Sequence, residues 1–150
     1  MGDLRWKPWL ASLLLALATV GCAGPPASMP GAATISDGIP APLDGLTGDA
    51  TRGLVLMRAR DPANCVLCHA VPGMPLAGNL GPPLAGVGAR LGVPQLRLRV
   101  VDERRVMPQT IMPSYHITAG LNDVAPQYRG RPILDAQQVE DVVAYLATLR

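Results

Sequence analysis

The chain has 150 residues and a formal net charge of +2, from 13 basic and 11 acidic side chains. This length favours one folded domain, and so small a charge excludes the strongly basic class of nucleic-acid-binding proteins. Three cysteines are too few for a disulfide framework. Aromatic residues make up 3% of the chain and phenylalanine is absent, so the large side chains that usually fill a small core are missing.

Residues 1–21 have the pattern of an export signal, which predicts a periplasmic protein. The apolar run 9–20 follows a short basic segment and is too short to span a bilayer. The residues ending at Cys22 resemble a bacterial lipoprotein box, although Thr19 stands where leucine is usual, and an acylated Cys22 would tether the chain to a membrane. Cleavage after Ala23 is the alternative and would remove that cysteine.

Residues 22–47 are rich in proline and glycine and lack helical or strand periodicity, which predicts a tether. The folded domain is predicted over 48–150. Its first helix, predicted over 49–60, begins at Asp49, a favourable N-cap residue. Gly53 lies inside this helix and indicates a close crossing with another helix.

Residues Cys65 to His69 form a C-x-x-C-H motif, the pattern of covalent c-type haem attachment. Positions i, i+3 and i+4 of a helical turn share one face, so Cys65, Cys68 and His69 can contact one flat macrocycle. The thiols would form thioethers with the haem vinyl groups, and the imidazole would be the proximal iron ligand. A haem would also supply the large apolar body that the core lacks.

Two other interpretations of this motif are weaker. A thioredoxin-like C-x-x-C site is expected in a βαβ context, and no such context is predicted before Cys65. A structural zinc site usually needs four ligands, and outside the motif only His116 and the distant Cys22 could contribute. The sequence therefore predicts one covalent haem.

A long irregular segment is predicted over 71–93, where glycine and proline recur throughout. Loops of this length in a compact domain are usually functional, and this one could wrap a haem edge. A helix is predicted over 94–105. Its arginines either form a solvated face or bind haem propionates or an acidic partner, and they are Arg97, Arg99, Arg104 and Arg105.

The last helix is predicted over 135–149, from a capping-box-like start at Asp135 and apolar residues at helical spacing. We expect it to pack against the helix at 49–60, with Tyr145 near Gly53.

An electron-transfer haem is typically ligated on both faces, and a Met/His pair raises its reduction potential. Four side chains could supply the sixth ligand, namely Met74, Met107, Met112 and His116. Met112 is favoured because the chain between it and His69 is long enough to reach the opposite haem face, and because Pro113 stiffens its backbone. Met107 also precedes a proline, so the residues alone leave it open.

Gly81-Pro82-Pro83-Leu84 after the haem motif, with a Met-Pro loop before an amphipathic C-terminal helix, resembles the class I cytochromes c. The resemblance implies an all-α fold of three to four helices, with long irregular loops wrapped around one covalently bound haem. It also implies that the carbonyl of Pro82 accepts a hydrogen bond from Nδ1 of His69, which would fix the ring and raise its basicity.

Three longer runs resemble the small monohaem subunit of the SoxAX cytochromes of bacterial sulfur oxidation, and they are 78–90, 110–115 and 137–146. The resemblance covers about residues 48–150 and favours Met112 as the iron ligand. It implies a heterodimer with a larger haem-containing SoxA-type subunit, together an L-cysteine S-thiosulfotransferase that couples thiosulfate to a cysteine of a carrier protein.

Within that heterodimer the chain would pass electrons to a soluble cytochrome c. The domain contains no recognisable nucleophile or acid–base pair, so we expect it not to be the catalytic centre. The alternative is a free-standing or lipid-tethered electron carrier of a respiratory chain.

Overall fold

The computed structural model describes residues 37–75 and 78–150. The predicted export signal, Cys22 and the tether up to residue 36 lie outside these residues. The described chain contains four α-helices and no β-strand; the helices are α1 Ala50–Arg58, α2 Val87–Arg90, α3 Val93–Asp102 and α4 Ala136–Thr148. The all-α prediction is therefore confirmed. None of the helices in these two ranges has the length and apolar character needed to cross a membrane.

Aspartate side chains begin the two helices that form the centre of the fold, α1 and α4. Asp49 accepts a hydrogen bond from the backbone N–H of Arg52 at 2.8 Å. Asp135 accepts one from the N–H of Gln138 at 2.8 Å, and the Gln138 side chain returns a bond to the Asp135 N–H at 3.0 Å. These caps satisfy N–H groups that have no partner within the helix, and both predicted helix starts are confirmed.

Helix α1 crosses α4 at Gly53, as its sequence position indicates. A Cβ atom on Gly53 would overlap the carbonyl oxygen of Asp141 and lie 2.8 Å from the Cβ of Tyr145. Gly48 makes a similar approach to the backbone of Glu140. The absence of two side chains thus lets the helix backbones meet, and the predicted contact of Tyr145 with Gly53 is confirmed.

The buried core between the helices is almost entirely aliphatic. Among the described residues the fully buried side chains are Met57, Leu96, Leu98, Leu134, Val139, Val142 and Val143. In the same part of the chain only Tyr115 and Tyr145 are both aromatic and buried. The core therefore depends on tight packing of small side chains around two tyrosines.

Residues 37–47 do not form the tether that the composition predicts. The N–H of Ile39 donates to the carbonyl of Pro94 at 2.9 Å, and the N–H of Leu43 donates to the Glu140 carboxylate at 2.9 Å. The side chains of Ile39 and Leu43 also pack against the core. The tether prediction is wrong for this segment, because two apolar residues among the prolines are enough to dock it on α3 and α4.

Helix α2 lies inside the segment that was predicted to be irregular. The N–H of Gly88 donates to the carbonyl of Leu149 at 2.8 Å, and a Cβ on Gly88 would lie 2.7 Å from the carbonyl oxygen of Leu146. Arg90 donates to the carbonyl of Ala85 at 2.6 Å. The glycine that lowers helix propensity is therefore the residue that lets this short helix contact the end of α4.

The four arginines around α3 do not form one face. Arg97 donates through Nε and Nη2 to both carboxylate oxygens of Glu140, at 2.7 and 2.9 Å, and through Nη1 to the carbonyl of Ile39 at 2.6 Å. Both side chains of this ion pair are 4% exposed. The solvated-face and partner-binding interpretations are wrong for Arg97, because its position on α3 faces α4.

The remaining three arginines differ in their contacts. Arg99 pairs at 2.9 Å with Glu103, which directly follows α3, and Arg104 pairs with Asp102 at 2.7 Å. Arg105 is exposed, and its side chain forms no hydrogen bond or ion pair within the described ranges. Of the four, only Arg105 is free for a partner in this structure.

Asp141 connects α4 to the N-terminus of α1. Its carboxylate accepts hydrogen bonds from Arg52, from the N–H of Asp49 and from Gln137, at 2.7 to 2.9 Å. Burial by itself would raise the pKa of Asp141, but the bonds from Arg52, the Asp49 N–H and Gln137 outweigh it and lower the pKa. Folding therefore stabilises the ionised carboxylate.

We expect Asp141→Asn to flatten the acid dependence of the free energy of unfolding. A carboxyl group whose pKa is lower in the folded chain contributes fully above its unfolded pKa of about 4, and the contribution is lost as pH falls through the folded pKa. Relative to the wild type, the free energy of unfolding of the variant should be lower by about 1–3 kcal/mol at neutral pH and by less at about pH 3. Urea unfolding at the two pH values measures this difference. Asp123→Asn at an exposed site is the control, and equal slopes in wild type and Asp141→Asn would contradict the expectation.

Candidate haem site

The C-x-x-C-H motif forms a single turn. Residues Cys65–Leu67 are a 3₁₀ helix, and the N–H groups of Cys68 and His69 both donate to the carbonyl of Cys65, at 3.2 and 3.0 Å. Asn64 precedes the turn in the left-handed conformation with φ of 47°. The turn gives the three side chains of the motif the i, i+3, i+4 spacing of one helical face. Neither cysteine forms a disulfide.

The imidazole of His69 is held by the loop that follows the motif. Its Nδ1 lies 2.7 Å from the carbonyl oxygen of Pro82, the pair that the resemblance to class I cytochromes c implies. A carbonyl oxygen can only accept a hydrogen bond, so Nδ1 carries the proton. The lone pair is then on Nε2, which is the form of histidine that ligates a metal.

Glycines in this loop allow it to lie against the turn. The N–H of Gly81 donates to the carbonyl of Cys68 at 2.8 Å, and a Cβ on Gly81 would lie 2.7 Å from Nδ1 of His69. A Cβ on Gly78 would overlap the carbonyl of Leu67. The segment lacks secondary structure at these positions, yet its backbone is fixed on the imidazole by contacts that only glycine permits.

The environment of Cys65 does not match a thiol redox centre. Burial raises the pKa of Cys65 to about 11, although its interaction with the Tyr115 hydroxyl acts in the opposite direction. Reactive C-x-x-C cysteines have lowered pKa values. Within 37–75 and 78–150 there is also no group of three or more His, Cys, Asp and Glu side chains that could hold a metal ion. Two reduced thiols beside a correctly protonated imidazole fit covalent haem attachment.

The four candidates for the sixth ligand have different environments. Met112 is partly buried and packs against the core, as does Met74. Met107 is 56% exposed. Nδ1 of His116 lies 3.0 Å from the carbonyl oxygen of Leu134. All three candidate methionines precede a proline, but only Met112 and Met74 pack against the core, and ligation itself stays a prediction.

Three polar residues that no sequence pattern singles out lie around the Met112 loop. Ser114 and Tyr115 follow Met112 and Pro113 directly, and both are buried. Asp102 is buried at the end of α3, where the Arg104 guanidinium holds the pKa of its carboxyl below the usual range. For Ser114 and Tyr115 the available signal was their place directly after the Met-Pro pair, since a buried hydroxyl requires a partner; Asp102 has no such local signal.

The chain is similar to proteins of known family and structure. The model of the cytochrome c family matches residues 51–150. The crystal structure of SoxXA from P. pantotrophus contains a chain that is 34% identical, with a TM-score of 0.69, over 77% of this chain and 91% of that chain. None of the curated proteins matches the sequence.

Proposed function

We propose a function for this chain from its family: it belongs to the cytochrome c family and is a SoxX-type class I cytochrome c. The proposed function is that of the monohaem electron-transfer subunit of a periplasmic thiosulfate-oxidising complex. Membership of the family implies a covalently bound haem c. The observation that carries the proposal is the structural match over 91% of a chain in SoxXA at 34% identity.

Each residue of the site would make a different contact with one haem. Cys65 and Cys68 would bind it covalently, and His69 would ligate the iron through Nε2 while Pro82 keeps the ring oriented. Met112 would close the opposite face and favour ferrous iron. When bound, the haem would supply an iron that gains and loses one electron, and His69 and Met112 would hold that iron.

The electrons would come from the catalytic haem of a larger SoxA-type subunit. That subunit would couple thiosulfate oxidatively to a cysteine of a carrier protein, and this chain would pass the electrons to a soluble cytochrome c. The support is that the similar structure is of SoxXA and that the cysteines of the described chain are the two of the haem motif. No thiol in this part of the chain is left for a nucleophilic step.

We also propose export to the periplasm, on the pattern of residues 1–21 alone. The lipoprotein-like sequence at Cys22 favours a second candidate function, a lipid-tethered electron carrier of a respiratory chain. The two candidates differ in partner, because only the first requires a stable heterodimer.

Exposed apolar side chains provide a surface for that heterodimer. Among the described residues the large apolar side chains with the greatest exposure outside α1 are Leu67, Leu80, Met107 and Ile111, at 64%, 65%, 56% and 75%. They lie on the turn formed by Cys65 to His69, called the haem turn below, on the loop that holds His69 and on the loop that carries Met112. Exposed apolar side chains on the segments that carry the proposed haem ligands are what a protein-binding surface beside the haem would require.

Co-expression with a SoxA-type subunit tests the proposal. The wild-type haem protein should purify as a heterodimer, and Leu67→Glu combined with Ile111→Glu should weaken the complex about tenfold or more, because each charge would be buried on binding. Val55→Glu is the matched control, since Val55 is also 64% exposed but lies on α1. Haem staining of denaturing gels verifies that each variant is loaded.

A wild-type chain that carries haem but stays monomeric beside the larger subunit would contradict the proposed complex. Reduction by a quinol or dehydrogenase system, with none by sulfur-oxidising proteins, would support the tethered carrier instead. An equal loss of binding in Val55→Glu would reject the surface that includes Leu67 and Ile111, but it would not reject the complex itself.

A further inference from the structure

The loop that carries Met112 changes abruptly from exposed to buried. Ile111 is 75% exposed and Pro113 is also exposed, whereas Ser114 and Tyr115 are 6% and 8% exposed. Both buried residues carry a hydroxyl group, and each hydroxyl has a specific partner. Hydroxyls in such positions are costly unless they are paired, so their contacts define where this part of the backbone must lie.

Tyr115 connects the Met112 loop to the haem turn. Its hydroxyl donates to the carbonyl of Ala63 at 2.9 Å, two residues before Cys65. Its backbone N–H donates to the carbonyl of Val100 at 3.3 Å, and its own carbonyl accepts from the N–H of Leu134 at 2.8 Å. One residue thus joins the loop to α3, to the segment before α4 and to the chain entering the haem turn.

Ser114 connects the same loop to the end of α3. Its hydroxyl donates to Oδ1 of Asp102 at 2.6 Å. The carboxylate of Asp102 is itself fixed by Nε and Nη2 of Arg104, at 2.7 and 2.9 Å, and Nη1 of Arg104 donates to the carbonyl of Gly120 at 2.7 Å. A bidentate arginine pair is a rigid partner, so the hydroxyl of Ser114 is held in one place.

A methionine ligand depends on such anchors. The thioether is neutral and bonds weakly to ferric iron, so small displacements of its backbone favour dissociation or replacement by another ligand. Met112 itself has a single local hydrogen bond, from its N–H to the hydroxyl of Thr110 at 3.1 Å. Besides the packing of its side chain against the core, the nearest long-range hydrogen bonds that can fix its backbone are those of the two residues that follow Pro113.

We propose that Ser114 and Tyr115 are positioning residues that keep Met112 on the haem iron, by fixing the backbone after it to Asp102 and to the carbonyl of Ala63. The inference rests on the proposed ligation by Met112. It adds that the chain on the Met112 side of the haem is tied directly to the chain on the His69 side, so that the two ligands are held at one separation.

The affinity of the ferric haem protein for imidazole tests this role, because imidazole binds only when Met112 leaves the iron. Tyr115→Phe and Ser114→Ala should each raise that affinity roughly five- to tenfold, and Ser114→Thr should restore most of the wild-type value. Tyr128→Phe is the matched control, since its hydroxyl donates to the exposed carboxylate of Asp61 at 3.3 Å. The sulfur-to-iron charge-transfer band and the urea midpoint are recorded for every variant.

Unchanged imidazole affinity in Tyr115→Phe and Ser114→Ala, even with a lower urea midpoint, would overturn the positioning role and leave a structural one. If Tyr115→Phe fails to mature, the pair Ser114→Ala and Ser114→Thr decides the question. Met112→Ala distinguishes a failure of the proposed ligation from a failure of the positioning role. If Met112→Ala keeps the charge-transfer band, Met112 is not the ligand and the positioning role is rejected with it. If Met112→Ala loses the band but Tyr115→Phe and Ser114→Ala keep the wild-type imidazole affinity, only the positioning role is rejected.

Discussion

Met112→Ala is expected to abolish the sulfur-to-iron charge-transfer band of the ferric protein and to leave a high-spin iron open to imidazole or cyanide. The partly buried Met112 side chain packs against the core, and alanine has no donor atom to replace the thioether. The reduction potential should fall by on the order of 0.1 V or more, because axial ligands tune haem potentials over about 0.8 V. Absorption spectra, imidazole titration and potentiometry of the loaded protein measure all three effects.

Two substitutions serve as controls for this result. Met107→Ala removes a methionine that also precedes a proline but is 56% exposed, and Met74→Ala removes one that packs against the core. Both should keep the band. A normal spectrum in Met112→Ala, with loss of the band in Met107→Ala, Met74→Ala or a His116 variant, would transfer the ligand role to that residue.

The parts of the fold that the sequence predicts well are those determined by neighbouring residues. Asp49 and Asp135 cap helices through side chains that reach only three residues along the chain, and the apolar spacing of α4 is visible within one window. The haem turn belongs to the same class, because its three predicted haem-binding residues, Cys65, Cys68 and His69, lie within five positions. The geometry of such elements depends only on residues that are close together in the sequence.

Contacts between distant residues are not visible in such patterns. Arg97 and Glu140 are 43 positions apart, and Tyr115 and Ala63 are 52 apart. Each residue alone resembles a surface arginine or an ordinary loop tyrosine, and only the topology brings the partners together. The bond between His69 and Pro82 was expected through the family resemblance and not through spacing, since nothing in a run of 13 residues dictates which carbonyl reaches the ring.

The segment 37–47 shows why composition misleads at a domain edge. The segment contains no α-helix or strand, only a short 3₁₀ helix at Leu43–Gly45. Its prolines do not prevent packing, and two apolar side chains supply the contact. The backbone groups of Ile39 and Leu43 are then satisfied by the ion pair of Arg97 and Glu140. A buried charge pair thus serves as the docking point of an irregular segment, and its removal is expected to have a large effect.

Glu140→Ala is expected to destabilise the folded haem protein by about 3–5 kcal/mol, because it leaves the guanidinium of Arg97 buried without its counter-charge. Both side chains of the pair are 4% exposed, so water cannot replace the lost contact. The N–H of Leu43 also loses its acceptor. Urea unfolding followed by circular dichroism measures the loss, and faster proteolysis near Leu43 should accompany it.

The double substitution Arg97→Met with Glu140→Leu distinguishes a buried unpaired charge from lost packing. Replacing both partners with apolar side chains removes the unpaired charge, so most of the lost stability should return. Glu103→Ala is the second control: it breaks the pair with Arg99, whose side chain is 29% exposed, and should cost about 1 kcal/mol or less. A double variant as unstable as Glu140→Ala would mean that the hydrogen bonds to Ile39 and Leu43, and not the charge of Arg97, are what the fold requires at this position.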